Sequence, residues 1–249
     1  AIYNGERRLE GHLLPQSLLA HVGVKTAGSL RYQRIIRIAV HPAIQQRDIG
    51  STLLDDLIEQ ATRKACDLVG ASFGVSSELL TFWTKSDFIP VRLGVHHDEV
   101  SGSHSVMMLK AVSSVGLQVL IEAKKRFQQQ WFYLLLKQFK QLDLDLVIQL
   151  SQLFDVEEKI YSVIDEHEIK SFAYAQRGYE FCQVSLCNWM TKMICHRHFL
   201  ILNQRQQHLC VGLVLQQRDI TELAKQLGYT GKRQIIIALR ESVELLLLE

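Results

Sequence analysis

The sequence predicts an α/β (α+β) portion followed by an all-α portion, and three observations carry that prediction. The first 110 residues alternate strand-like and helix-like stretches with glycines at the switches. After about Val112 the strand signal stops and long helical patterns take over. All three prolines, Pro15, Pro42 and Pro90, fall in the first portion. The boundary between the portions is placed near residue 111, giving 1–111 and 112–249.

Arg34 to Val40 is rich in β-branched residues and is bounded by Pro42, so it reads as a strand that ends there. From Gly50 the period changes, with Leu53, Leu54, Leu57, Ile58, Ala61, Ala65 and Leu68 on one helical face. Asp55, Asp56 and Glu59 precede Arg63 and Lys64 along it, as the helix dipole favours. Leu68 to Phe73 is a short strand between Gly70 and Gly74, and Ser76 or Ser77 caps a second helix through Leu79, Leu80, Phe82 and Trp83. Phe88 to Leu93 and Ser105 to Leu109 are strands, joined by a loop carrying Gly94, His96, His97, Gly102 and His104. Leu117 to Lys140 and Leu142 to Phe154 are helices, and the remainder is mostly helical.

Composition narrows the classes. The chain is 47% hydrophobic and 22% charged, enough apolar material for a packed core. No apolar run approaches a membrane span, and nothing apolar follows Glu6, Arg7 and Arg8 as a secretory signal requires. Five cysteines with no CxxC pair read as reduced, cytosolic thiols. The run Cys195-His196-Arg197-His198 lacks the paired spacing of a zinc site, so no metal is expected. Without an initiating Met, the chain is expected to be a piece of a longer protein.

Charge is distributed unevenly. Residues 111–140 hold five Lys/Arg against one Asp/Glu, a net +4, whereas residues 141–170 hold two against eight, a net −6. Basic and acidic blocks in succession suit a protein that meets a polyanion with some faces only, and equally suit ordinary solvated helices. The terminal stretch "ITELAKQLGYTGKRQIIIALRESV" has Ala224 and Gly228 at helix-turn-helix spacing. Its second helix reads Gln234-Ile235-Ile236-Ile237-Ala238-Leu239, too apolar for base readout, which favours a packed helical hairpin with Lys232, Arg233 and Arg240 available to phosphates. A nucleic-acid-binding helix-turn-helix protein with a degenerate α/β scaffold is the alternative.

The turn "HPAIQQRDIG", from His41 to Gly50, leads from a strand into a helix N-terminus, where unpaired amides and a partial positive charge can receive an anion. An ordinary connector would also look like this. The stretch Gln45-Gln46-Arg47-Asp48-Ile49-Gly50 resembles the acetyl-CoA loop of the GNAT-type N-acetyltransferases, Q/R-x-x-G-x-G/A, with Asp48 in place of the first glycine. The stretches "RIAVHPAIQQ", "SFGVSSELLTFWTKSDFIPVRLG" and "SGSHSVMML", with the tail ending in "LGYTGKRQIIIALRESV", extend that likeness over the whole chain. It resembles the C-terminal portion of the bacterial tRNA(Met) cytidine acetyltransferases.

The resemblance implies a GNAT-like domain, incomplete at its N-terminal side, followed by a tRNA-binding tail. It implies acetyl transfer from acetyl-CoA to the wobble cytidine of elongator tRNA(Met), with ATP used only through a preceding helicase-like module. The only near match to a G-x-x-x-x-G-K-[ST] phosphate loop, Gly228 to Lys232, has the wrong spacing. Residue by residue, Ile38, Ala39 and Val40 would line the pantetheine arm. Gln45, Gln46, Arg47, Asp48, Ile49, Gly50 and Ser51 would hold the pyrophosphate, with Glu78 and Lys85 also at the acetyl-CoA site. Asp48 sets a carboxylate among the phosphates, and Asp87 replaces a glycine in the family's "GF" turn, where positive φ is needed. Glu78 in a first helical turn, and Lys85 in a last one, also fit their places without a ligand. His41 and His96 are candidate bases. Lys124, Lys125, Arg126, Lys232, Arg233 and Arg240 are candidate tRNA-phosphate contacts. An exposed sheet edge is expected to be covered by a partner or a further segment, and the isolated chain is expected not to acetylate tRNA unaided.

Overall fold

The computed structural model describes residues 1–7, 11–97, 102–155 and 162–248. It divides into two compact units, 1–130 and 131–249.

In the first unit, α1 (Leu13–Ser17) continues into a wider π-type turn over Leu18–Val22 and a 3₁₀ stretch over Lys25–Ser29. β1 (Tyr32–Ile35), α2 (Ile49–Arg63), β2 (Leu68–Gly74), α3 (Ser77–Lys85), β3 (Ile89–His97), β4 (His104–Ala111) and α4 (Ser114–Lys137) follow, the last residues of α4, 131–137, being counted with the second unit. Among the described residues the sheet order is β1-β2-β4-β3. β1 and β2 are parallel, with α2 as their crossover, and the other pairs are antiparallel. The mixed α/β sheet predicted from sequence is present. Pro90 sits in β3, an edge strand, where a missing N–H is tolerated.

Several boundaries differ from the sequence reading. The first strand is Tyr32–Ile35 and not Arg34 to Val40: its ladder with β2 stops at Ile35↔Ala71, and Ile36 is already 77% exposed. Ile38, Ala39 and Val40 therefore lie beyond the strand. β-branched composition marked an extended chain, but β2 ceases to pair with it. The helix stops at Arg63; Ala65 has φ +52 and is exposed, and Leu53 is 45% exposed, so the apolar face is shorter than its periodicity implied. β3 and β4 extend past their predicted ends, placing Gly94, His96 and His97 in β3 and His104 in β4. Residues 98–101 of the predicted loop lie outside the described residues.

Leu14, Leu18, Val22, Val24 and Ala27 pack with Leu68, Met107 and Leu109 of the sheet and with Val119, Leu120 and Ala123 of α4. Gly70 permits that packing: a Cβ there would lie 2.4 Å from Leu109 and 3.0 Å from Leu14. At one end of the sheet, Asp67 ties several elements together. Its carboxylate accepts from the Arg31 N–H at 2.9 Å and the Ser113 hydroxyl at 2.7 Å, and its carbonyl accepts from the Val112 N–H at 3.0 Å. Those two donors hold the carboxyl below its ordinary pKa.

The second unit contains α5 (Leu144–Ser151), α6 (Val163–Tyr174), α7 (Gln183–Met193), α8 (Gln204–Leu209), α9 (Ile220–Gln226) and α10 (Lys232–Leu246). Leu142 to Phe154 was expected as one helix. Asp143 caps α5 by accepting from the Leu146 N–H at 3.0 Å, which sets a later start. Gln216, fully buried, donates to the carbonyls of Phe139 and Leu142 at 2.8 and 3.0 Å, satisfying the turn before α5. No helix among the described residues is long and apolar enough to cross a membrane.

Candidate functional site

β1 and β2 run parallel and each hands over to a helix at its C-terminal end: β1 through residues 36–48 to α2, β2 through Val75 and Ser76 to α3. Ligands of open α/β sheets collect at such strand ends, where helix N-termini converge. Because the β1–β2 ladder stops at Ile35↔Ala71 while β2 runs to Gly74, residues 72–74 pair only with β4. Among the described residues one edge of β2 is thus open beyond Ala71, and residues 36–40 follow β1 without forming a strand. Which residues of β2 stand open had no signal in the sequence, because that depends on where the pairing of two strands stops.

The turn itself is exposed from His41 through Asp48. Pro42–Ile44 forms one 3₁₀ turn, capped by His41, whose Nδ1 accepts from the Ala43 N–H at 3.2 Å. That bond engages one ring nitrogen of a candidate base in local structure. The Gln45 side-chain amide donates to the Val40 carbonyl at 3.0 Å. Gln46 (φ +58) and Asp48 (φ +57) are both left-handed. The family's glycine at the position of Asp48 therefore has a backbone reason, and Asp is among the few other residues that adopt this geometry without severe strain. Asp48 makes no side-chain cap to α2, so its carboxylate leaves the first-turn amides of Ile49, Gly50 and Ser51 uncapped.

Gly50 was expected among the residues that hold the pyrophosphate. In the structure it also allows close approach of a side chain: a Cβ there would lie 2.9 Å from Phe82 Cε2 and 3.8 Å from Val40. Trp83 is core, stacked on Phe73 at 5.3 Å and edge-on to Phe88 at 4.8 Å. α3 is capped by the Ser76 hydroxyl, which accepts from the Leu79 N–H at 3.3 Å. Glu78 is exposed in the first turn, its pKa lowered by its own backbone N–H and then by the Ser76 hydroxyl. Lys85 is exposed in the last turn. Asp87 adopts φ +61, as the glycine it replaces would, and its carboxylate meets Lys110 Nζ at 3.3 Å.

His96 is exposed on β3, whereas His104 is buried with Nδ1 2.8 Å from the Gly94 carbonyl. Of the basic residues, Arg126 pairs with Glu122 at 2.8 Å and Lys232 with Glu180 at 2.8 Å. Lys124 is half-buried on α4. Arg240 donates to the carbonyls of Ala175 and Arg177 at 2.9 and 3.1 Å and lies over the Phe172 ring, a packing role that apolar periodicity around it concealed. Lys125 and Arg233 are exposed. The terminal hairpin buries Ile235, Leu239 and Val243 of α10, and Gln234 Oε1 accepts from the Thr230 N–H at 2.6 Å and its hydroxyl at 3.0 Å. Among the described residues no group of three or more His, Cys, Asp or Glu could hold a metal ion.

The first turn of α2, which follows the C-terminal end of β1, is left with backbone amides that no side chain caps. Residues 51–113 match the family model GNAT acetyltransferase 2, which makes this part of the chain an acetyltransferase domain of that class. Over 250 residues the chain is 34% identical to a tRNA(Met) cytidine acetyltransferase of Nitrosococcus halophilus, covering 99% of this chain and 33% of the relative. It is 33% identical over 247 residues to that of Vibrio cholerae, with the same coverages, and 42% identical over 129 residues to that of Haemophilus influenzae, covering 51% and 19%. Over nearly its whole length the chain is similar to these acetyltransferases. It spans about one third of the length of the first two of these relatives.

Proposed function

We propose that this chain is the acetyl-CoA-binding and RNA-binding part of an enzyme that acetylates the exocyclic amine of the wobble cytidine in elongator tRNA(Met). The observation that carries the reading is the likeness to tRNA(Met) cytidine acetyltransferases over 99% of the chain. The uncapped first turn of α2 supports it. Ile49, Gly50 and Ser51 supply amides for the pyrophosphate, Arg47 adds positive charge, and residues Ile38 to Val40 line the pantetheine arm. Bound acetyl-CoA supplies the acetyl group. The chain's part is to orient it and to hold the cytidine so that the ring-conjugated amine loses its proton during attack. His96 is the leading proposed proton acceptor; in His41 the ring lone pair on Nδ1 already accepts from the Ala43 N–H, which leaves Nε2 protonated, so His41 serves as a base only once that cap is released.

The acetyltransferase part is assigned to residues 1–111 and the tRNA-binding tail to 112–249. Lys125 and Arg233 are proposed as the leading phosphate contacts, since Arg126, Lys232 and Arg240 already meet protein groups. ATP would act through a preceding module, and the setting is the cytoplasm. The helix-turn-helix alternative is disfavoured because α10 buries its apolar face and Gln234 is engaged with Thr230.

The test is transfer of labelled acetyl from acetyl-CoA to tRNA(Met) by the full-length protein with ATP, followed by nucleoside analysis. N4-acetylcytidine at the wobble position is expected. Label on protein, on another nucleoside, or nowhere would overturn the reading.

A further inference from the structure

Loop 41–48 is exposed along its whole length, so no core packing holds its shape. The 3₁₀ turn and its His41 cap are internal to residues 41–45. Thr52 ties Asp48 to α2 through the Asp48 carbonyl, which accepts from its N–H at 2.9 Å and its hydroxyl at 3.1 Å. Gln45 reaches back to Val40 at 3.0 Å. That bond closes the loop at its base, and two left-handed residues, Gln46 and Asp48, follow at once. Left-handed non-glycine residues persist where their surroundings over-determine them. Here the surroundings are this bond on one side and the Thr52 bonds on the other.

We propose that Gln45 is a positioning residue for the acyl donor. By holding the Val40 carbonyl, its side-chain amide fixes loop 41–48 in the shape that aims the first-turn amides of α2, and it does not itself touch the phosphates. The proposal rests on the reading that α2 receives a pyrophosphate. It reassigns a residue that the sequence motif placed among direct cofactor contacts. Losing the bond leaves Val40 solvated and the loop free to leave its left-handed turns, so a bound diphosphate must first order it.

The experiment compares the full chain with Gln45→Ala and Gln45→Arg, the latter retaining an N–H donor on a long side chain. Hydrogen exchange of residues 41–51 is measured without ligand, and coenzyme A binding by calorimetry. Gln45→Ala should exchange faster in this loop alone and bind coenzyme A about fivefold more weakly, the weight of one ordinary hydrogen bond. Gln45→Arg should restore the protection. Weaker binding with unchanged exchange would make Gln45 a direct ligand contact and overturn the proposal. Faster exchange with unchanged affinity would leave only a local structural role and overturn it too. If the wild-type chain binds no coenzyme A, the function reading falls and takes this proposal with it, a result separate from either of the others.

Discussion

Replacing Gly50 by alanine separates two reasons for a glycine at the start of α2. In a helix, Gly→Ala ordinarily stabilises by about 1 kcal/mol, because alanine gives up less backbone freedom on folding. At this position the new methyl would lie 2.9 Å from Phe82 Cε2 and 3.2 Å from Cζ, closer than carbon atoms pack. Forcing a ring aside in a packed site costs about 1–3 kcal/mol. The net expectation is a loss of up to about 2 kcal/mol, opposite in sign to the helix rule. Phe82→Leu should relieve the crowding, so Gly50→Ala in that background should stabilise by about 1 kcal/mol. Urea denaturation of the four proteins measures the cycle, and calorimetric titration of coenzyme A into each measures the site. If stability returns in the double variant but affinity does not, the glycine also serves ligand approach. The packing argument is refuted if Gly50→Ala stabilises in the wild-type background.

Three further outcomes follow from the same geometry. Asp48→Gly should tighten coenzyme A binding by removing a carboxylate beside the phosphates and a left-handed non-glycine residue; Asp48→Asn, which removes only the charge, should give part of that gain at low salt and little at high salt, and no gain from either variant would count against the loop as the anion site. The Asp67 carboxyl is held below its ordinary pKa by the Arg31 N–H and then the Ser113 hydroxyl, so its contribution to stability is present above about pH 4, where the unfolded group is ionised, and fades as pH falls through the lower folded value. Wild type should exceed Asp67→Asn in thermal midpoint near neutrality, with the gap narrowing below about pH 4; a gap independent of pH would show that ionisation is irrelevant. Neutralising Lys125 and Arg233 should weaken binding to all tRNAs alike and flatten its salt dependence, whereas loss confined to one DNA sequence would favour the helix-turn-helix reading.

Local chemistry made much of this protein legible in one dimension. The alternation of strand-like and helix-like periods before residue 111, the capping serine before α3 and the hairpin at the C-terminus depend on contacts within a few residues, and each is present. The turn glycines of the family pattern could likewise be located, and the structure supplies their reason, since Asp48 and Asp87 adopt positive φ where the pattern has glycine. The same chain could not say where β1 stops. Arg34 to Val40 carries β-branched residues throughout, but a strand exists only while a partner pairs with it, and β2 pairs no further than Ala71. Nor could it say that Gly50 faces Phe82, or that Arg240 is turned inward onto two carbonyls and a phenyl ring. These are meetings of residues tens of positions apart, and a side chain's charge or size is silent about which distant group it will meet. So sequence alone determined which elements form, while tertiary structure decided where the sheet opens and which polar groups are already engaged, because pairing and burial are properties of the folded pair and of neither partner by itself.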